Sequence, residues 1–531
     1  MLSADPTEDE SFAEALCREK GWSPERVFRH QYLITPESQT SAGLPTWHSA
    51  TAGSWTLWYD PDLPVHPLKD ATGAFLGLLC GVAIGPDDNV IEDTLHLPFK
   101  NDDALALDQF EELLMDLRGR YITLLTLPDR TLLYTDPVAD MGAVYDPASR
   151  RVGLSMPVVL NRRLERAHGV TRPNLLLGHV PLRAGMTPDA HVRRLLPNHR
   201  LDLRTFTMRR FWPKIPPFMV ESVEEEDSIS AAIAERLAKN VAAFTNHGTS
   251  AIPISGGIDS RILLGLAAAH EARPTICFTH RTNWISGYDA VLGYQIADAL
   301  GVPYRLLDAV TLNKDVAWAE AAKLERTLRF VRSGFSTPKV RAPTALAQLM
   351  VPKVALILRG NVMEMLGGRF HRSSGIADIE AAYNLIWGRE PASDEERRIW
   401  QAAYCGWLAD LTPGLPEKTG LDLAFVELLY SHAIAVVLQS LPQGFFLNPF
   451  ADRRLIAQTM RISSQSRRSG QLYNKLLRHG QMLPKLPSPR VLGKADALAD
   501  NRQLLEFLKQ RSADIEAYTR DTPPNLAGSV N

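Results

Sequence analysis

The spacing of hydrophobic and polar positions changes part of the way along the chain. Up to about residue 212, short apolar runs alternate with turn sequences such as GPDDN and DPASR, a pattern typical of β-strands joined by tight turns. Several short strands at this spacing predict a sandwich or layered sheet. The predicted strands are Phe75–Ile84, Tyr121–Leu127, Thr131–Tyr134 and Arg151–Ser155.

In the second part of the chain, short apolar strands alternate with helices of about a dozen residues, which indicates βαβ units and a parallel sheet. From about Asp315 onward the pattern is mostly helical, with one apolar run at Val354–Leu358. The predicted helices are Ser228–Phe244, Ile262–His270 and Tyr288–Leu300, and the predicted strands are Ala251–Ile254, Thr275–Thr279 and Tyr304–Leu307.

A linker separates the two patterns. Residues 212–227, WPKIPPFMVESVEEED, contain three prolines followed by acidic residues, as expected for a loop that enters a helix. We therefore expect two domains, 1–215 and 216–531. The predicted fold class is α/β, with an N-terminal α+β sandwich followed by a doubly wound parallel sheet that ends in a helical part.

Composition narrows the functional classes. The chain has 531 residues, 45% of them hydrophobic, and its 58 basic and 60 acidic side chains leave a net charge of −2. A protein built to hold nucleic acid usually carries a basic excess, so no nucleic-acid partner is expected. No apolar run reaches membrane-spanning length, and the acidic N-terminus does not resemble a signal peptide. Four scattered cysteines form no disulfide framework. We expect a soluble, cytoplasmic protein with no membrane association.

The strongest chemical motif is IPISGGIDSR at 252–261, where a strand ends in a glycine turn and a helix begins. Glycines permit close approach of the backbone to a ligand, and amides at a helix N-terminus favour an anion. The motif differs from both GxxxxGK[ST] and GxGxxG. It predicts a phosphate-binding loop formed by Ser255, Gly256, Gly257, Ile258, Asp259, Ser260 and Arg261.

This loop matches the SGGxDS motif of PP-loop ATP pyrophosphatases, and its SGGIDSR spelling resembles the synthetase domain of asparagine synthetase B-like enzymes. Three further segments are similar to that family: 288–307, 448–456 and, in its N-terminal glutaminase-type domain, 117–146. The segment 192–212 is similar to the end of the same N-terminal domain. The resemblance extends over about residues 110–500, and it implies ATP and Mg²⁺ as cofactors.

The resemblance implies a role for two carboxylates. Asp259 stands where the family holds Mg²⁺ at the phosphates of ATP. The family's second acidic loop corresponds to LILRGNVMEMLGG, where Glu364 falls at an acidic position and Asn361 replaces the first acid. Glu364 is therefore the second expected Mg²⁺ ligand. An ordinary loop glutamate is the alternative.

The glutaminase half departs from the family. Members of the family use a cysteine, exposed as the mature N-terminal residue, as the nucleophile of glutamine hydrolysis, with its own α-amino group as the base. Here Leu2 follows Met1, Cys17 lies in a predicted helix, and Cys80 lies within an apolar strand, where cysteines are usually core residues. We therefore expect no glutamine hydrolysis.

Other site residues are predicted with less support from motifs. Ring-closing relatives use a C-terminal lysine, for which LPKLPSPRVLGK offers Lys494 first and Lys485 second; a solvated surface charge is the alternative for either. Phe278 follows the second strand of the parallel sheet and is expected to form the adenosine side of the site. Asp289 lies in the segment that follows this strand. It is explained equally well as a residue of the site and as an ordinary acid in the first turn of its helix.

Together these features predict an ATP-dependent, glutamine-independent ligase that forms an amide bond through an acyl-adenylate. Its substrates would be a small-molecule or peptide carboxylate and an amine. One form is a macrolactam synthetase of the lasso-peptide cyclase type, with a precursor peptide and its processing protease as partners. Alternatives are an amide ligase acting on a sugar acid or amino acid in polysaccharide or natural-product biosynthesis, and a non-catalytic ATP-binding scaffold. An RNA-modifying PP-loop enzyme is disfavoured because basic tracts and cysteine pairs are missing.

Overall fold

The first part of the chain forms two sheets in the computed structural model, which describes residues 4, 6–7, 10–39, 43–167, 182–283, 286–334, 341–373 and 375–480. The strands are β1 (Tyr32–Pro36), β2 (His48–Ala52), β3 (Trp55–Tyr59), β4 (Val65–Lys69), β5 (Phe75–Ile84), β6 (Leu95–His96), β7 (Arg118–Leu127), β8 (Arg130–Thr135), β9 (Val144–Asp146), β10 (Arg151–Gly153), β11 (Arg193–Arg194), β12 (His199–Asp202) and β13 (Thr207–Arg210). The helices are α1 (Phe12–Lys20), α2 (Pro24–Val27), α3 (Ala106–Leu113) and α4 (Met156–Val159).

One sheet has the strand order β11-β9-β10-β1-β3-β2 and is antiparallel throughout. The other has the order β13-β12-β8-β7-β5-β4-β6 and is antiparallel except for the short β4–β6 pair. Side chains of both sheets, such as Ile34 and Leu124, belong to one apolar core. Nine of the ten β5 residues are buried, which explains why that strand is apolar at nearly every position and does not alternate.

The second part is built on a five-stranded parallel sheet surrounded by helices. Its strands are β14 (Ser250–Pro253), β15 (Ile276–Arg281), β16 (Tyr304–Asp308), β17 (Leu356–Leu358) and β18 (Phe445–Leu447). The helices are α5 (Val223–Asn246), α6 (Ile258–Ala269), α7 (Ser286–Ala299), α8 (Ala309–Leu312), α9 (Val316–Arg332), α10 (Ala342–Leu349), α11 (Ile379–Ala382), α12 (Asp394–Ala409), α13 (Glu417–Ala424), α14 (Ser431–Ala433), α15 (Ala435–Gln439), α16 (Arg453–Arg461), α17 (Ser464–Arg468) and α18 (Gln471–His479). A 3₁₀ helix spans Asn361–Gly367, and π-helical segments span Tyr383–Trp387 and Phe425–Tyr430.

The strand order of this sheet, β16-β15-β14-β17-β18, reverses direction between β14 and β17. The chain adds β15 and β16 on one side of β14, and then returns to add β17 and β18 on the other side. In parallel sheets, ligands bind in the crevice beyond the carboxyl ends of the strands at such a reversal. The SGGIDSR segment follows β14, and the loop that carries Glu364 follows β17, so both predicted carboxylates lie beside the crevice.

The structure confirms a mixed α/β fold with a parallel sheet, and it confirms most of the predicted elements. β5 has the predicted bounds, and β7, β8, β14, β15 and β16 differ from prediction by one to three residues at either end. Helix α5 begins earlier than predicted because Ser222 caps it, accepting a hydrogen bond from the Glu225 amide. The predicted boundary at 215/216 lies between β13 and this helix.

The two parts of the chain are joined by apolar contacts. The main core cluster includes residues of both. A second cluster packs Phe12 and Leu16 of α1 against Leu328 and Val331 of α9. The N-terminal part therefore completes the hydrophobic packing of the C-terminal part.

One continuous helical stretch, Glu417–Gln439, is long and apolar enough to cross a membrane, but 78% of its most apolar window is buried inside the protein. Its apolar side chains contact other parts of the chain, as in the core helix of a soluble protein.

Candidate functional site

The loop after β14 is folded around the hydroxyl groups of its two serines. The Ser255 amide donates a hydrogen bond to Ser260 Oγ at 3.2 Å, and the Gly257 amide donates to Ser255 Oγ at 3.1 Å. Gly257 is the N-cap of α6, and Ile258 is its first residue. These amides thus lie at a helix N-terminus, where the dipole favours an anion, and each of them donates to a serine hydroxyl of the same loop.

Asp289 supports this loop from the first turn of α7. Its Oδ1 accepts a hydrogen bond from the Gly256 amide at 3.0 Å, and Arg261, which is buried, lies within its electrostatic influence. A Cβ atom at Gly256 would come within 2.8 Å of the Leu292 side chain. Glycine at this position therefore lets the loop pack closely against α7, and Asp289 holds it there.

Asp259 and Glu364 approach each other from the two loops at the strand-order reversal. Gly360, two residues after the end of β17, packs against Asp259 so closely that a Cβ atom there would lie 2.8 Å from the Asp259 Cβ. Glu364 follows in the 3₁₀ helix Asn361–Gly367 and raises the pKa of Asp259 through its charge. The two predicted metal ligands are therefore brought together, and the glycine makes their approach possible.

Asp259 is in an environment that disfavours its charge. Burial, followed by the Glu364 carboxylate, raises its pKa to about 7, although a hydrogen bond from Tyr473 opposes the shift. Its Oδ1 is buried and accepts no hydrogen bond from the part of the chain that the structure describes. A divalent cation would supply the missing partner and neutralise both carboxylates. The residues present therefore fit Mg²⁺, with Asp259 and Glu364 as the protein ligands that would hold it.

Two other side chains, Tyr473 and Arg369, interact with the Asp259–Glu364 pair. The Tyr473 hydroxyl, besides its interaction with Asp259, contacts the Met363 backbone oxygen at 2.9 Å and so links α18 to the loop after β17. Arg369 forms a 3.0 Å ion pair with Glu364 Oε2. Arg369 is 56% exposed in its side chain, so a cation that bound Glu364 could displace it at little cost. No cluster of three or more His, Cys, Asp or Glu side chains suited to a metal occurs in the described ranges.

A buried polar network connects this loop to the N-terminal part. Asp140 accepts hydrogen bonds from the Tyr430 hydroxyl at 2.7 Å and from Asn448 Nδ2 at 2.5 Å. Asn448 Oδ1 then accepts from the Asn361 amide at 3.2 Å. Burial and the neighbouring Asp140 carboxylate raise the pKa of Asp136 to about 7. The Asn448 side chain therefore holds the backbone of Asn361, the first residue of the 3₁₀ helix that carries Glu364.

The remaining predicted residues are not seen at the Asp259–Glu364 pair. Phe278 is fully buried in the core beside the α8–α10 helices, so its ring packs against apolar side chains, and its place at the adenosine side of the site stays a prediction. Lys485 and Lys494 lie outside the described residues. Cys80 is fully buried in β5 and burial raises the pKa of its thiol far above the usual range, as expected for a core residue.

A depression of about 1010 Å³ lies elsewhere, between residues 85–96 and the C-terminal half of α5. Some of its charged groups form ion pairs: Asp88 with Arg118 at 2.6 Å, and Glu92 with His247 at 3.3 Å. Its lining includes none of the predicted site residues.

Sequence reasoning did not identify Gly360, Tyr473 or Asn448 as parts of this site. Gly360 carried a signal, because a glycine close to the end of an apolar strand often marks a close backbone approach. Tyr473 carried none. Asn448 begins the segment 448–456 described above, but nothing in that segment indicated its contact with Asn361, which lies on a distant element.

No protein-family model matches the chain, and no curated protein matches it at a significant level.

Proposed function

We propose that this protein is an ATP-dependent, AMP-forming carbon–nitrogen ligase of the asparagine synthetase-like kind, with a PP-loop synthetase domain behind a glutaminase-like domain that has lost its nucleophile. One observation carries the proposal. Asp259 of the SGGIDSR loop packs against Gly360 and is acted on by the charge of Glu364, at the strand-order reversal of a parallel sheet. A buried carboxylate oxygen that has no hydrogen-bond partner in the described ranges, at the N-terminus of a helix, suits a metal–phosphate ligand.

In the proposed reaction, an oxygen of the substrate carboxylate attacks the α-phosphorus of ATP, and pyrophosphate leaves as the acyl-adenylate forms. The amine then attacks the acyl carbon, AMP leaves, and the nitrogen loses a proton. Mg²⁺ would supply charge neutralisation at the phosphates. The loop residues Ser255, Gly256 and Gly257 would bind the phosphates, and Asp289 would keep the loop amides in position.

The second step needs a cation near the departing AMP, and we assign it to Lys494, with Lys485 as the second choice. Replacing Lys494 by alanine should leave ATP binding nearly unchanged and lower kcat by about 10²-fold, as the loss of an oxyanion-stabilising group does. A normal kcat in that variant would transfer the role to Lys485 or another group.

The amine is proposed to come from the substrate or from a second small molecule. Of the four cysteines, Cys17, Cys80 and Cys277 are buried, and burial raises the pKa of each of these three thiols, whereas Cys405 is partly exposed and lies in the C-terminal part, outside the glutaminase-like domain. Buried, protonated thiols do not hydrolyse glutamine. A macrolactam synthetase of the lasso-peptide cyclase type, which joins a peptide N-terminus to an acidic side chain, meets this requirement because both reacting groups lie on one substrate.

ATP–pyrophosphate exchange tests the proposal directly. The purified chain is given Mg²⁺ and labelled pyrophosphate with small acids, sugar acids or linear peptides that contain an internal Asp or Glu. Peptide-only exchange supports the macrolactam form, and exchange with a small acid supports the alternative amide ligase. The Asp259→Ala variant should lose exchange, whereas Asp298→Ala, at an exposed position on α7, should keep it. ATP binding without exchange for any acid would indicate a scaffold.

A further inference from the structure

Three basic side chains come from neighbouring elements of the C-terminal part. His280 lies near the carboxyl end of β15, Arg359 directly follows β17, and Arg329 lies on α9. The His280 ring lies at 5.2 Å from the ring of Phe278 in a tilted arrangement, and Phe278 packs with the α8–α10 helices, so His280 shares that face of the sheet. Burial first, and then the charges of Arg359 and Arg329, lower the pKa of His280 to about 3, as expected if both guanidinium groups act on the imidazole.

Arg329 is almost completely buried, with only 2% of its surface exposed, yet its Nε and Nη1 atoms donate no hydrogen bond to any described residue. His280 Nε2 is also buried and has no hydrogen-bond partner within the same ranges. Guanidinium groups buried in this way normally pair with anions, because an unpaired buried charge is costly. Both side chains therefore offer polar atoms that the protein itself leaves unused.

The neighbouring acids do not fill this gap. Glu325 is buried one turn before Arg329 and its charge acts on Arg329, but its Oε1 pairs with Arg332 at 2.5 Å and its Oε2 has no hydrogen-bond partner in the described ranges. Asp140 acts on Arg359 through its charge, but its hydrogen bonds come from Tyr430 and Asn448. Two carboxylates thus serve three guanidinium groups, those of Arg329, Arg332 and Arg359, beside a neutral imidazole.

We propose that Arg329, Arg359 and His280 form a binding site for an oxyanion, either a carboxylate of the acid substrate or a phosphate group. Arg359 immediately precedes Gly360, so the site adjoins the Asp259–Glu364 pair along the same loop. The fork of donors on a guanidinium matches both carboxylate and phosphate oxygens. The inference rests on the proposed function only for the identity of this oxyanion.

The test measures anion binding to the full chain by isothermal titration calorimetry without Mg²⁺, so that the metal site does not contribute. Inorganic pyrophosphate and glutarate serve as separate probes of the phosphate and carboxylate forms. Arg329→Gln should weaken binding of one probe by about 10-fold or more, whereas Arg329→Lys, which keeps the charge, should weaken it less. Arg326→Gln removes the same charge from an exposed position of the same helix and should leave binding unchanged.

Loss of pyrophosphate binding assigns the site to phosphate, and loss of glutarate binding assigns it to the substrate carboxylate. The proposal is overturned if the unaltered chain binds neither probe, or if Arg329→Gln, shown by circular dichroism to be folded, binds both as before. Failure of the proposed function is distinguishable from this result. A chain that binds no ATP but binds an anion through Arg329 would refute the ligase and retain the anion site.

Discussion

Replacing Asp259 by asparagine should stabilise the free protein while it removes metal binding. The carboxyl group has its pKa raised to about 7 by burial and by Glu364, so the folded state disfavours the charged form that predominates above that pH. Asparagine has nearly the same shape and no charge. The variant should therefore unfold at a higher urea concentration than the unaltered chain in buffer without metal or nucleotide.

The size of the effect follows from the displacement of the pKa from its unfolded value of about 3.9. A raised carboxyl pKa contributes stability that is complete below the unfolded pKa and is lost as pH rises through the folded pKa. The carboxylate should cost at most about 4 kcal/mol at about pH 8.5 and roughly half as much at about pH 5.5. The stability gained on substitution should therefore shrink as pH falls.

Urea unfolding followed by tryptophan fluorescence at several pH values measures this difference. Asp298→Asn, at an exposed site on α7, is the control and should show little change at any pH. Added Mg²⁺ and ATP should raise the stability of the unaltered chain and not that of the Asp259 variant. A variant that is less stable than the unaltered chain at about pH 8.5, or a difference that does not depend on pH, would refute the reasoning.

Three further predictions concern the surroundings of this site. Gly360→Ala should abolish Mg²⁺-dependent ATP binding, because its Cβ would lie 2.8 Å from the Cβ of Asp259. Gly406→Ala is the control and should keep ATP binding, because nothing lies within 4 Å of a Cβ there. Titration with ATP measures both. Tyr430→Phe removes a hydroxyl that donates to a buried carboxylate at 2.7 Å, and it should lower the free energy of unfolding by about 1–3 kcal/mol in urea titrations. Iodoacetamide should label Cys405, which is partly exposed, well before the buried Cys80. Mass spectrometry of the digested protein measures the order of labelling, and earlier labelling of Cys80 would show that β5 is open.

The sequence pattern predicted the parallel sheet well where strands alternate with helices. β14, β15 and β16 were visible because each is a short apolar run followed by an amphipathic helix, and Asp259 was identified by its glycine loop. β18 was missed because it has only three residues, Phe445–Leu447, and follows a long helical region. Without it the complete strand order could not be predicted.

The parts of the site that escaped prediction depend on contacts between distant residues. Asp140 and Asn448 are joined by a hydrogen bond although 308 residues separate them, and the segments 117–146 and 448–456 that contain them do not indicate that the two side chains meet. Arg329 looks like one of several basic residues on a helix, and only its burial distinguishes it from the exposed Arg326. Phe278 was chosen from its place near the end of a strand, and that position does not indicate that its ring packs into the core.

The packing of α1 against α9 has a consequence for biosynthesis. Leu16 leaves the ribosome about 300 residues before Leu328, which belongs to the same apolar cluster. At ~5–20 residues per second, this delay lasts roughly 15–60 s. Throughout that interval the apolar face of the first helix has only part of its final cover, which favours chaperone binding to the nascent chain. Expressing the two halves of the gene separately should therefore produce insoluble fragments unless both are made together in the same cell.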